Sequence, residues 1–169
     1  MTTADAINLI RKGVNTARPQ NWADLGCGPG TFTEALSTLL PAHSQVTPVD
    51  KQIQKLPNFI KADFEKDELD LSGLDGILMA NSLNYVRDKQ TLVKKLEHYF
   101  AVGPNFLIIE YDTSRSNHWV PYPILDQLNA LFNNLGHNAI TKLAERPSIY
   151  NRANIYAAII QKIQTKKNS

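Results

Sequence analysis

The chain has one cysteine, Cys27. That excludes a disulfide framework and any cysteine-built metal site, and it fits a reducing, cytoplasmic setting. Excess charge of either sign is also missing: 18 basic and 16 acidic side chains leave a formal +2. Such a balance gives no broad pull toward nucleic acid or a membrane surface. No apolar run is long enough to span a bilayer, so membrane insertion is not expected. Met1 to Asn15 places Ala6, Ile7, Leu9, Ile10 and Val14 among polar residues. It reads as an amphipathic helix rather than an export signal. The tail "KIQTKKNS" is basic and reads as a solvated end, with contact to an anionic partner as the alternative. No internal repeat or linker divides the 169 residues, which suit a single domain, 1–169.

What is present is an alternation of short apolar runs and amphipathic segments, the pattern of an α/β protein with a largely parallel sheet. Helices are expected over Ala4 to Asn15, Thr31 to Leu40, Arg87 to Phe100 and Asp126 to Leu135. Strands are expected to end at Asp24 and Leu25, and to occupy "SQVTPVD", "NFIKAD", "LDGILMAN" and "NFLIIEYD". "AITKLAERPS" and "RANIYAAIIQKI" read as two closing strands, an antiparallel pair joined around Pro147 to Asn151. Pro48 has no backbone donor and calls for an edge or a distorted strand. Only seven residues, "KQIQKLP", separate Asp50 from Asn58. They reach at most roughly 23 Å, enough to return along a short strand but not to build a packing helix. A shortened crossover and a more exposed sheet face follow, with a partner copy, as in a homodimer, as one way of covering it.

The most informative stretch is "NWADLGCGPGTFTEAL", Asn21 to Leu36: a buried strand, a glycine turn and a helix start. Glycine allows a sharp turn and close approach of a ligand to the backbone, and the helix presents its positive end. The turn is not a dinucleotide fingerprint, because Thr31 stands where the third glycine of G-x-G-x-x-G belongs. It also lacks the Gly-Lys-Ser/Thr ending of a phosphate loop. A ligand with a small zwitterionic group suits it better, with Asp24 near an ammonium.

"ADLGCGPG", Ala23 through Gly30, resembles the glycine motif of the class I, Rossmann-like S-adenosylmethionine-dependent methyltransferases, and the order of elements resembles theirs over almost the whole chain. The resemblance implies a seven-stranded, mostly parallel Rossmann-like sheet with an antiparallel closing strand in a three-layer sandwich. It implies S-adenosyl-L-methionine as cofactor. Asp24, Gly26, Cys27, Gly28 and Gly30 would hold its methionine part. Asp50, with Lys51 beside it, would bind the ribose hydroxyls. Asp63 would contact adenine, with Phe64 and Ile53 the nearest apolar covers. Asn81, Ser82 and Leu83 would line the cofactor and methyl-transfer pocket. An ionised Asp50 can accept two hydroxyl donors, though it also reads as a strand-end cap. Asp63 lies in the charged, loop-like "DFEKDELD", and Asn81 could equally satisfy a turn.

The acceptor is expected beyond the carboxyl ends of the strands, walled by the N-terminal helix, Asn84 to Arg87, and Tyr111 to Pro123. Tyr85 is a candidate wall of the methyl-transfer site. His118 could take a proton, and Glu110 could be a base, an orienter or a solvent-facing carboxylate. Trp119 and Tyr122 could stack on a planar substrate, and Arg115 could fix an anion. "NSLN", Asn81 to Asn84, departs from the Asn/Asp-Pro-Pro-Tyr/Phe of methyltransferases acting on base amino groups. It also departs from the aspartate that ribose-methylating enzymes of the Lys-Asp-Lys-Glu type carry there. A small-molecule acceptor is the leading reading. An RNA or protein methyltransferase, and a non-catalytic protein that only binds the cofactor, are the alternatives.

Overall fold

The computed structural model describes residues 1–113, 115–122, 127–148 and 153–163. The expected helix start at Asp126, the pocket wall at Pro123, the hairpin residues 149–151 and the tail beyond Ile163 lie outside the described residues. Among the described residues, no helix is long and apolar enough to cross a membrane.

Chain entry is set by a capping box: the Thr2 hydroxyl accepts the Asp5 N–H at 3.2 Å while the Asp5 carboxylate accepts the Thr2 N–H at 3.1 Å. Helix α1 (Thr3–Ile10) follows and tightens into a 3-10 turn at Arg11–Gly13, short of the expected Asn15. Then come β1 (Asn21–Leu25), α2 (Thr31–Leu39), β2 (Gln45–Asp50), β3 (Ile60–Lys61) and β4 (Gly76–Ala80). The second half contains α3 (Lys89–Leu96), β5 (Asn105–Tyr111), α4 (Leu128–Asn134), β6 (Ala139–Pro147) and β7 (Asn154–Gln161). Asp88 caps α3 by accepting the Thr91 N–H at 3.1 Å.

The seven strands lie in the order β3-β2-β1-β4-β5-β7-β6. Strands β1 to β5 pair in parallel, and β7 runs antiparallel to both β5 and β6. One face buries Val49, Ile77, Met79, Phe106 and Ile108 with Leu92 of α3 and Phe132 of α4. The other buries Trp22, Leu78, Leu107 and Ile109 with Leu9 of α1 and Leu36 of α2. Strand alternation puts Glu110 on the first face and Tyr111 on the second.

Pro48 sits inside β2 without distorting it. The Gly26 N–H donates to the Val49 carbonyl and the Ala62 N–H to the Asp50 carbonyl. Val49 therefore points its backbone polar groups at β1, and its neighbours Pro48 and Asp50 point theirs at β3. Because β3 begins at Ile60, opposite Val49, no ladder bond is asked of Pro48. The shortened crossover is real: residues 51–59 form no helix. The expected exposed face is not. Val46, Pro48 and Val49 are buried: α2 covers Val46, Val49 packs into the core of the opposite face, and β3, at two residues, leaves little sheet beyond. No partner copy is needed there.

A Cβ built at Gly76 would fall 2.4 Å from two Trp22 ring carbons, and that indole is fully buried with its Nε1–H donated to Gln20 at 3.0 Å. Gly76→Ala is expected to cost about 1–3 kcal/mol from overpacking, read as a lower urea midpoint at unchanged slope.

Candidate active site

The parallel strands deliver Leu25, Asp50, Ala80 and Tyr111 to one edge of the sheet, and β6, antiparallel to β7, brings Pro147 there as well. The chain turns sharply after β1. Gly26, at φ 77°, is crowded: an added Cβ would lie 2.5 Å from the Ser82 Cβ. Gly28, at φ 51°, is the opposite case, with no heavy atom within 4 Å of the same construction. Its missing side chain opens onto a cavity.

The amides of this turn are largely engaged within the protein. Those of Gly26 and Cys27 donate to the Val49 carbonyl at 2.8 and 3.1 Å, and that of Gly28 donates to Asp50 Oδ2 at 2.9 Å. The donors left facing the cavity belong to α2, whose first N–H groups have no carbonyl one turn back; Thr31 and Phe32 border the space. Asp50 Oδ1 accepts the Gln52 N–H at 2.8 Å. A carboxylate offers about four acceptor sites, so about two remain on Asp50 for further donors. The Cys27 thiol is buried and pushed up to about 12, first by burial and then by the charges of Asp24 and Asp50. It is a packing group, not a nucleophile.

Asp24 has no exposed surface. Its Oδ2 accepts the Thr33 hydroxyl at 2.7 Å, while Oδ1 has no partner among the described residues. Burial pushes this carboxyl up to about 7; the Thr33 bond opposes the rise and the charge of Asp50 adds to it. Asn81 ends β4 in the left-handed region, at φ 52°. Its N–H donates to the Ile109 carbonyl at 2.8 Å, and its Oδ1 is buried without a described partner.

The other sequence candidates divide. Ser82 donates to the Leu25 carbonyl at 2.7 Å and is buried beneath Gly26. Leu83 is wholly in the core. Asp63 is engaged in its own turn, accepting the Glu65 N–H at 3.1 Å and pairing with Lys66 at 3.6 Å. Phe64 packs by its ring edge against Gly26, whereas Ile53, at 79% exposed, and Lys51 lie open at the sheet rim. Leu56, from the short crossover, covers Gly30 instead.

Two cavities meet here. One, of about 380 Å³, is bordered by Asp24, Gly28, Thr31 and, from distant parts of the chain, Met1 and Arg146. The second, of about 480 Å³, is bordered by Tyr85, Thr113, Asn117, Trp119 and Val120. Asn81, Tyr111 and Ser148 belong to both walls. His118 is exposed and edge-on to Trp119, with ring centroids 5.1 Å apart, but is not on the wall. Tyr122 lies beneath the Lys89 ammonium, 5.5 Å from the ring centre, and Arg115 is exposed.

Glu110 is not the solvent-facing carboxylate that its strand-end position allowed. It is 1% exposed, and accepts both the Asn84 N–H at 3.1 Å and the Asn84 side-chain amide at 2.7 Å. Burial pushes it up to about 7, against the opposing Asn84 bonds and the Lys89 charge. The Asn84 carbonyl accepts the Tyr122 N–H at 3.0 Å. Glu110 thus fixes the 3-10 turn Leu83–Tyr85 and, through it, the loop that carries Trp119. A second tie, unseen in the sequence, joins Arg146 to Asp5 at 2.6 Å and draws β6 to α1 beside the first cavity.

No protein-family model and no curated protein matches the chain. Solved structures do. A SAM-dependent methyltransferase from Aquifex aeolicus is similar over 94% of this chain and 90% of its own, with a TM-score of 0.69 at 13% identity. The 1,6-didemethyltoxoflavin-N1-methyltransferase of Burkholderia thailandensis, solved with 1,6-didemethyltoxoflavin and S-adenosylhomocysteine, matches over 96% and 78%, with a TM-score of 0.70 at 15% identity. A Haemonchus contortus phosphoethanolamine N-methyltransferase matches over 96% of this chain but 53% of its own, with a TM-score of 0.71 at 11% identity. With β7 alone reversed, between β5 and the edge strand β6 of an otherwise parallel sheet, this chain has the Rossmann-like fold of the class I S-adenosylmethionine-dependent methyltransferases.

Proposed function

We propose that this protein transfers a methyl group from S-adenosylmethionine to a small molecule. One observation carries the reading: the Gly28 amide and the Asp50 carboxylate meet at 2.9 Å at the glycine turn, and the cavity beside Gly28 shares three wall residues with a second. The residues fit the cofactor on two counts. The position a side chain would take at Gly28 is open, and Asp24 Oδ1 is a buried acceptor with no hydrogen-bond partner among the described residues.

When bound, S-adenosylmethionine supplies a methyl group on a positively charged sulfur. Asp50 would accept the ribose hydroxyls with its remaining lone pairs, and Asp24 and the first N–H groups of α2 would hold the amino-acid end. Asn81 and Tyr111, on the shared wall, would separate and align the two ligands. None of the described residues bordering the second cavity is a carboxylate, an imidazole or an amine, and Glu110 is already occupied by Asn84. Among the described residues, alignment and exclusion of water are what the site contributes, and holding two reactants in line supplies several kcal/mol. A bounded space of about 480 Å³ suits a compact organic molecule rather than a nucleic-acid strand.

Titration calorimetry with S-adenosylhomocysteine tests the reading; a folded sample that takes up none overturns it. Asp50→Ala is expected to weaken that binding at least about tenfold, near 1.4 kcal/mol. An unchanged dissociation constant would remove Asp50 from the ribose.

A further inference from the structure

Large apolar side chains standing in water need a reason when several face one cavity. Tyr85 is 53% exposed and Trp119 is 61% exposed, and both border the second cavity. They arrive from different elements, Tyr85 from the turn held by Glu110 and Trp119 from the loop after β5. Each is fixed locally. The backbone before Tyr85 is pinned by the two Asn84 bonds, and the Trp119 and Val120 N–H groups both donate to Asn117 Oδ1, at 2.8 and 3.0 Å. Val120, on the same wall, is buried.

The remaining described wall is polar but carries no formal charge: Asn81, Thr113 and Asn117 with the Tyr111 and Ser148 hydroxyls. Of the described charged or ionisable groups nearby, Asp24 and Arg146 border the first cavity, Arg115 and His118 are off the wall, Lys89 is over Tyr122, and Glu110 is sealed under Asn84. Among the described residues, an ion placed in this space would leave water without meeting a countercharge on the wall, which is costly. A flat neutral ring would cover both exposed aromatic faces and present one N–H or O–H to the buried Asn81 Oδ1.

We infer that the second cavity binds an uncharged, planar aromatic or heteroaromatic molecule bearing a ring N–H or O–H. Calling this molecule the methyl acceptor rests on the function proposed above; its chemical class rests on the cavity wall alone. The probes are 2-naphthol, its anionic analogue 2-naphthoate and the cationic 1-naphthylmethylammonium, each titrated at pH 7 by ligand-observed NMR. 2-Naphthol is expected to bind at least about tenfold tighter than either ion. Trp119→Ala, checked for folding by its thermal midpoint, is expected to weaken 2-naphthol at least about tenfold, and Trp119→Phe is expected to restore most of that loss. No binding of 2-naphthol, equal or tighter binding of an ion, or 2-naphthol affinity unaltered by Trp119→Ala overturns the inference. S-adenosylhomocysteine titrated in parallel separates the two claims. Its uptake without 2-naphthol sinks this inference alone, and 2-naphthol uptake without it sinks the methyl-transfer reading while sparing the neutral aromatic site.

Discussion

Gly28→Ala is expected to abolish measurable S-adenosylhomocysteine binding, a loss of at least about 100-fold or 2.7 kcal/mol, in a protein that still folds. The new methyl group meets no protein atom, so its whole steric cost falls on the ligand. The fold pays only for an alanine held at positive φ, about 1–2 kcal/mol, which lowers Tm by about 2–8 °C in a chain of this size. Gly26→Ala is the contrasting variant. It carries the same backbone strain and also drives a methyl to 2.5 Å from the Ser82 Cβ, which cannot retreat while its hydroxyl is bonded to Leu25. Overpacking adds about 1–3 kcal/mol, so Gly26→Ala should melt well below Gly28→Ala. Calorimetry and melting curves on the pair check this. Wild-type affinity in Gly28→Ala would place the ligand elsewhere.

Asp24→Asn is expected to stabilise the protein at pH 8 while weakening S-adenosylhomocysteine about 10–100-fold, the cost of losing a charge-assisted bond. In the unfolded chain this carboxyl ionises near 3.8, and in the folded protein near 7. Between those values the folded state keeps a proton that the unfolded state has released. Stability therefore falls as pH rises from about 4 to 7 and is level above. The span corresponds to roughly 2–4 kcal/mol. Asparagine cannot ionise and removes this share of the slope. Glu110, raised from 4.5 to about 7, acts with the same sign and keeps part of it. Melting curves at pH 5 and pH 8 should show wild type losing more degrees than the variant across that interval. Identical slopes, with an unaltered dissociation constant, would make Asp24 a purely structural residue.

Elements whose cause is local were legible in the sequence. The apolar runs at Gly76–Ala80 and Asn105–Tyr111 are strands as read, and the glycine turn lies between β1 and α2. Elements whose cause is remote were not. Glu110 and Asn84 are 26 positions apart, and only the β4–β5 pairing brings them together. Arg146 reaches Asp5 because the strand order carries β6 back to α1. The third strand was read too long, since "NFIKAD" shows its apolar content but not that its crossover can feed only two paired residues. In the candidate site, the type of residue was readable at Trp119 and His118, but which of the two faces the cavity depends on how Asn117 bends the loop.

The two borders of the sheet have a bearing on behaviour at high concentration. At one, β3 is only two residues long, and the stretch of β2 that it leaves uncovered contains Pro48, which has no N–H to offer an incoming chain. At the other, β6 is long, but its register is broken between Lys142 and Ala144, and Lys142, Glu145 and Arg146 crowd it with charge. Short strands, proline, irregularity and charge are the devices that stop sheets from growing across molecules. Economy at one margin and ionic armour at the other guard this apolar sheet against fibre-like stacking.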